Sequence, residues 1–217
     1  MYRSKTSVLL LVCAALLVAV SFSLPVADAQ EKPAGVSFET IPTGDYRVDP
    51  GHSVIGFSIR HFEISFVRGR FKDFTSTIHF DAADMTKSTV EFTAKVESID
   101  TGVGGRDNHL RSADFFDVEK FPEIKFESNR IEKRGKSFVA HGTLTMHGVS
   151  KEIALPFSIT GSNKDATGKK MNVGYSARVT LNRRDFGINW QNQNAPNFVG
   201  DNIDIEIDLI TRAIDVK

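Results

Sequence analysis

Along Val90-Glu91-Phe92-Thr93-Ala94-Lys95-Val96-Glu97, apolar and polar residues alternate one for one. A period of two sends successive side chains to opposite faces, so this segment reads as a strand with one buried and one wet face. The pattern returns at Ile55-Phe57-Ile59, at Ile153-Leu155-Phe157-Ile159 and at Ile203-Ile205-Ile207-Leu209. Strand candidates fall near 45–49, 52–62, 65–80, 89–100, 122–132, 136–147, 150–161, 172–182 and 201–213. Turn signals separate them, among them Asp49-Pro50-Gly51, Arg134-Gly135-Lys136 and Asp165-Ala166-Thr167-Gly168. Closely spaced strands with short turns predict an all-β fold, a sandwich or an up-and-down barrel. In the third candidate the apolar set is odd at Val67 and Phe71 but even at Phe74, Ile78 and Phe80. An uncorrected slip of one residue would turn the wrong face inward, so a bulge is expected near Asp73. Gly56 and Gly69 sit where long strands need to bend, and long bent strands suit a closed barrel better than a flat sandwich.

The first 29 residues are expected to lie outside that fold. Arg3 and Lys5 form a positive start, Val8 to Val20 an apolar run, and Ala27-Asp28-Ala29 places small residues where a signal peptidase reads. The run is short for a membrane span; an uncleaved anchor is the competing reading. The expected mature chain begins near Gln30, is periplasmic or secreted, and has a loose lead over 30–43 before a barrel over 44–217. The one cysteine, Cys13, lies in the apolar run, which leaves no disulfide or thiolate chemistry after cleavage. Charge is balanced, 27 basic against 27 acidic residues, and no basic run suggests a nucleic-acid partner. Arg68, Arg70 and Lys72 alternate along one strand and read as a solvated outer face.

One segment interrupts the β rhythm. Gly102, Gly104 and Gly105 are expected to end a strand, and Ser112 is a candidate N-cap for a turn of helix. Phe115, Phe116 and Phe121 are too many aromatics for a solvated loop, so the stretch near 105–118 is expected to fold over one end of the barrel as a short helical cover. Arg106, Asp107 and Asp114 are candidates for an ion-pair network that anchors it, and His52 and Ser53 for hydrogen bonds that fix the Asp49-Pro50-Gly51 turn.

A series of motifs runs in order along the chain: Tyr46-Arg47-Val48-Asp49-Pro50-Gly51-His52-Ser53, Ile55-Gly56-Phe57-Ser58-Ile59-Arg60-His61 and Val67-Arg68-Gly69-Arg70-Phe71, then Ser98-Ile99-Asp100-Thr101 and Arg106-Asp107-Asn108-His109-Leu110. Asp114-Phe115-Phe116-Asp117, Phe121-Pro122, Gly142-Thr143-Leu144-Thr145-Met146-His147-Gly148-Val149 and Asn182-Arg183-Arg184-Asp185-Phe186-Gly187 complete it. In this order and spacing they resemble the YceI-like, or polyisoprenoid-binding, family, and the resemblance covers the chain from about Gly44 onward. It implies an extended eight-stranded antiparallel barrel, similar to lipocalins, with an elongated apolar pore for an isoprenoid or other long-chain lipid. Trp190-Gln191-Asn192-Gln193-Asn194 falls outside the shared motifs.

An eight-stranded barrel has room for its own side chains or for one slender guest. Each buried methylene contributes roughly 0.8 kcal/mol gross, so apolar contact alone can hold a long chain. Phe57, Phe71, Phe92, Phe126, Phe157 and Tyr175 occupy the apolar phase of their strands and are the candidate lining, together with Ile59 and Ile205. A filled core is the alternative for the same residues. His61 shares the phase of Ile55, Phe57 and Ile59 at the end of that run, which places it near one mouth, either meeting a ligand head or bonded to a backbone carbonyl. Arg60 points the other way unless the strand bends.

Enzyme motifs are missing. The six histidines lie on different elements without metal-ligand spacing; His141 and His147, on one strand, would stand roughly 20 Å apart. There is no Gly-x-Ser-x-Gly elbow, and Gly102-Val103-Gly104-Gly105 lacks the lysine of a phosphate loop. Asp204, Glu206 and Asp208 oppose the apolar stripe and read as surface residues. The expectation is a binding protein with no cofactor and no metal, carrying a polyisoprenoid of quinone or polyprenyl type for storage, sequestration or transport. The rivals are a fatty acid or fatty amide carrier, an isoprenoid-metabolising enzyme with His61 as base, and a structural protein with a filled core. Transient membrane contact is a further expected partner, and phenylalanines exposed at an edge or mouth would favour a homodimer.

Overall fold

The computed structural model describes residues 41–214; the expected signal segment and most of the lead lie outside them. Among the described residues eleven strands follow one another: β1 (Gly44–Val48), β2 (Val54–His61), β3 (Ser65–Phe71), β4 (Phe74–Phe80), β5 (Thr89–Lys95), β6 (Ile99–Asp100), β7 (Glu123–Arg134), β8 (Ser137–Met146), β9 (Val149–Lys164), β10 (Met171–Asn182) and β11 (Val199–Ala213). One helix, α1 (Gly104–Arg111), separates β6 from β7. All pairings are antiparallel. Around the circuit β1-β4-β5-β7-β8-β9-β10-β11 the sheet closes, because β11 pairs β1 through Tyr46↔Ala213 and Val48↔Thr211. Along that circuit closure removes the free edges that would template aggregation, while the continuation β2-β3-β6 ends the sheet at β6. β2, β3 and β6 continue β1, β4 and β5 past local breaks, so the molecule is a barrel of eight long strands, as expected.

Those breaks fall at one level in three neighbouring strands. Inward residues are even in β1 (Tyr46, Val48), β4 (Phe74, Ile78, Phe80) and β5 (Ala94), and odd in their continuations (Ile55, Phe71, Ile99). A slip in one strand alone would strand its neighbours out of register; three matched slips keep the ladder paired while the barrel bends. Across the breaks, the Lys72 amide donates to the Ser98 carbonyl and the Lys95 amide to the Asp73 carbonyl. At the third break Asp49 Oδ1 accepts from the Gly51 amide at 3.0 Å, and its other oxygen meets His52 Nδ1 at 3.0 Å. Ser53 Oγ accepts from the Ile210 amide at 2.9 Å, so this turn is tied to β11 as well.

One end of the barrel is filled. The Phe138 and Phe157 rings stack at 5.4 Å, Tyr175 lies 6.3 Å from Phe157, and Tyr46 meets Phe80 edge-on at 6.3 Å. The end of the expected loose lead joins this packing, since Ile41 is fully buried and Tyr46 donates to the Pro42 carbonyl at 2.8 Å.

The outer face carries charge pairs. Asp204, Glu206 and Asp208 point outward there, the last two meeting Arg178, while Arg70 and Lys72 approach Asp100. Lys125 and Lys95 hold the Glu123 carboxyl at about 2, and Arg134 and His141 do the same for Glu132, against an ordinary 4.5. Folded-state values below the unfolded ones mean that these carboxylates stabilise the barrel fully above about pH 4.5 and lose that contribution as pH falls towards 2. Acid titration of unfolding should therefore show a slope in that window. Glu123→Gln with Glu132→Gln should flatten it, as should salt, because both groups are partly exposed and screened. An unchanged slope in the double variant would remove these two sites as its source.

Candidate functional site

Between the packed end and α1 the barrel encloses an apolar cavity of about 530 Å³. That is within the roughly 300–1,000 Å³ typical of small-molecule sites. Strand alternation delivers its wall. Phe57 and Ile59 of β2, Phe71 of β3 and Phe92 of β5 face it, as do Phe126 of β7 and Ile205 of β11. Leu144, Leu155 and Leu181 complete the apolar surround. Phe157 and Tyr175, expected in the lining from their phase, do not reach the cavity; they belong to the packed end. Gly69 serves the wall by absence: a Cβ there would sit 2.4 Å from the Phe57 ring, which crosses the strand at that point.

The cover is built differently from its expectation. Ser112 does not start the helix but ends it, its amide donating to the His109 carbonyl. The start is fixed by side chains reaching back to the strand end. Asp107, buried, accepts from the amide and hydroxyl of Thr101 at 2.9 and 2.5 Å, and Arg106 donates to the Thr101 hydroxyl and carbonyl at 2.7 and 2.8 Å. The expected network of Arg106, Asp107 and Asp114 is thus replaced by two residues meeting on Thr101, while Asp114 pairs with His109 at 2.8 Å. Arg111 donates to the Glu97 and Ile99 carbonyls. So clamped, α1 and the turn after it place Leu110, Phe115 and Phe116 across the cavity end, with Phe116 edge-on to Phe71.

A chain of rings forms the mouth beside this cover. His109 touches Phe115 and Trp190 at 5.0 and 5.1 Å, Trp190 lies 6.0 Å from Phe198, and Phe198 is 4.7 Å from His61. His61 lines the cavity near the mouth, and its Nδ1 bonds the Phe198 carbonyl at 2.7 Å, the backbone-carbonyl alternative of the two expected. A carbonyl only accepts, so Nδ1 is the donor in this bond. Below the mouth Arg183 is buried to 1 % exposure. It donates to the carbonyls of Gly200, Ile188 and Trp190 at 2.8–2.9 Å and to Asp201 at 2.9 Å. Trp190, Phe198 and Arg183 were not among the expected site residues, because residues 183–198 carry no strand period; Arg183 stood only within the Asn182–Gly187 motif, and Trp190 in a stretch outside the shared motifs.

Over residues 46–211 the sequence matches the YceI-like domain. The chain belongs to the YceI-like family. Its relatives include a UPF0312 protein of Photorhabdus laumondii, 40 % identical over 146 residues that make up 66 % of this chain and 76 % of that one. A UPF0312 protein of Pseudomonas putida is 34 % identical over 168 residues, 76 % of this chain and 84 % of the relative. Among solved structures, the Campylobacter jejuni YceI protein superposes with a TM-score of 0.63 at 34 % identity, covering 77 % of this chain and 97 % of the other. A polyisoprenoid binding domain from Saccharophagus degradans shares the fold at 14 % identity, with a TM-score of 0.62 over 80 % of this chain and all of that domain. Among the described residues, no group of three or more His, Cys, Asp or Glu side chains is arranged to hold a metal ion.

Proposed function

We propose that this protein encapsulates one long-chain apolar ligand, a polyisoprenoid of quinone or polyprenyl type, and acts outside the cytoplasm after cleavage near Ala29. The observation that carries the proposal is the apolar cavity, closed by packed rings at one end and by α1 and a polar, ring-lined mouth at the other. The Saccharophagus degradans domain of the same fold is described as polyisoprenoid binding, and the proposal extends that ligand class to this chain. The tail would lie along Phe57, Phe92 and Phe126, with its head at His61 and Trp190. Encapsulation needs no reactive group, and storage, sequestration or delivery to and from a membrane all follow from it. A fatty acid is the second reading, favoured by one feature: the ionisable residues lining the cavity are Arg60, His61, Arg106, His109 and Arg183, all basic.

Native mass spectrometry on protein purified without detergent, followed by solvent extraction, tests the proposal. A stoichiometric adduct of prenyl mass is the expected result, and an acyl mass would move the assignment to the second reading. A clean apo mass that persists after incubation with both lipid classes would overturn encapsulation.

A further inference from the structure

The connection between β2 and β3 is built at a cost. Phe62 and Glu63 both take left-handed backbone, with φ of 52° and 62°. Glycine or asparagine enters that region readily, whereas a phenylalanine and a glutamate do so only where the surroundings hold them. The result is an apolar apex. Ile64 is 86 % exposed, Phe62 37 % and Phe66 39 %, so half of the six large hydrophobic residues exposed in the described chain crowd this one tip. Two cations flank it: the Arg60 and Arg68 guanidinium groups lie 4.6 and 5.7 Å from the Phe66 ring centre. Arg60 is bonded to a carbonyl, that of Glu63, and the Glu63 carboxylate is the one acidic group on the connection.

The tip adjoins the mouth. The Phe62 amide donates to the Phe198 carbonyl that also accepts from His61, and the Phe62 ring lies 5.1 Å from Phe198 and 4.6 Å from His61. We propose that the β2–β3 tip inserts into the surface of an anionic lipid bilayer, with Phe62, Ile64 and Phe66 among the acyl chains and Arg60 and Arg68 on the lipid phosphates. A convex apolar apex ringed by arginines is the arrangement that an interface between hydrocarbon and phosphate favours. Docked this way, the mouth faces the bilayer and a long ligand passes from membrane to cavity without crossing water. This inference takes only its purpose from the carrier reading, and the two fail separately.

The test is co-sedimentation of the chain from Gln30 onward, which contains the whole closed barrel, with vesicles. One set is phosphatidylethanolamine with phosphatidylglycerol, the other phosphatidylcholine alone. The parent should partition onto the anionic vesicles, and Ile64→Glu should lower that partition by about tenfold or more. Arg60→Gln with Arg68→Gln should lower it about tenfold on the anionic vesicles and remove the preference over phosphatidylcholine. Ile64 lies outside the cavity wall, so Ile64→Glu should take up farnesol as the parent does, followed by Trp190 fluorescence at the mouth. Equal partition of parent and Ile64→Glu, or no partition by the parent, would overturn the proposal. So would an Ile64→Glu chain that changes from dimer to monomer while vesicle binding stays, which would assign the tip to a second copy. Vesicle binding lost in the variant, with farnesol taken up by neither chain, would sustain the docking and remove the carrier reading.

Discussion

Replacing Arg183 by alanine should lower unfolding stability by about 3–5 kcal/mol, since three carbonyls lose their donor at about 1 kcal/mol or more each. The loss is not that of one ion pair, because Asp201 is 42 % exposed and can turn to water. It comes mainly from the Gly200, Ile188 and Trp190 carbonyls, which share this one donor group and would be left with their bonds unmade. Urea unfolding at neutral pH reads the effect, with a fall in midpoint temperature of roughly 10 °C expected alongside it. Arg183→Lys should recover little, since a single ammonium cannot serve partners spread around a planar guanidinium. A change below about 1 kcal/mol for Arg183→Ala would mean that the carbonyls find other donors and that Arg183 does not organise the mouth.

The second large effect concerns the cavity itself. Ile205→Trp puts a bulky ring in mid-wall, opposite Phe57 on β2 and Val179 on β10 in the strand registers. Uptake of a prenyl chain should fall by more than about tenfold, because the indole takes space that the ligand's methylenes would fill. Stability should hold, since the added atoms enter free volume and not a packed core, where overfilling costs about 1–3 kcal/mol. Ligand titration and a thermal melt on the same preparation decide the matter. Uptake unchanged would place the ligand elsewhere, whereas a sharp fall in melting temperature would mean that the wall has no room to give.

Those expectations rest on side chains that differ in how plainly the sequence announced them. Phe57, Phe71, Phe92 and Phe126 reach the cavity because period two states which face a residue takes. It does not state depth along the barrel axis, and that is why Phe157 and Tyr175, inward by the same rule, pack at the filled end. The break at Asp73 was legible because Phe71 and Phe74 contradict a single alternation. The same change of parity between Val96 and Ile99 passes more quietly, since only a two-residue strand follows it. Ser112 looked like a helix start because a serine commonly caps one. The competing signal was Asp107, whose carboxylate reaches back six residues to Thr101, just past the end of β6, a contact that local propensity does not contain. The mouth was least legible of all: Trp190 and Phe198 meet His61 and His109 only after irregular chain has folded across the barrel.

Tyr46 pairs with Ala213, so the seam of the barrel is stitched by segments from opposite ends of the fold. Closing a loop of that length costs more chain entropy than closing the local hairpins, so the seam is expected to shut after them and to leave the apolar inner wall open until then. A lipid present at that moment needs no doorway, because the sheet can wrap it as it shuts. Cargo found in the purified protein would then record where the chain folded as much as what it prefers. Unfolding and refolding it with and without lipid would separate a molecule that is loaded once, at birth, from one that exchanges its contents throughout its life.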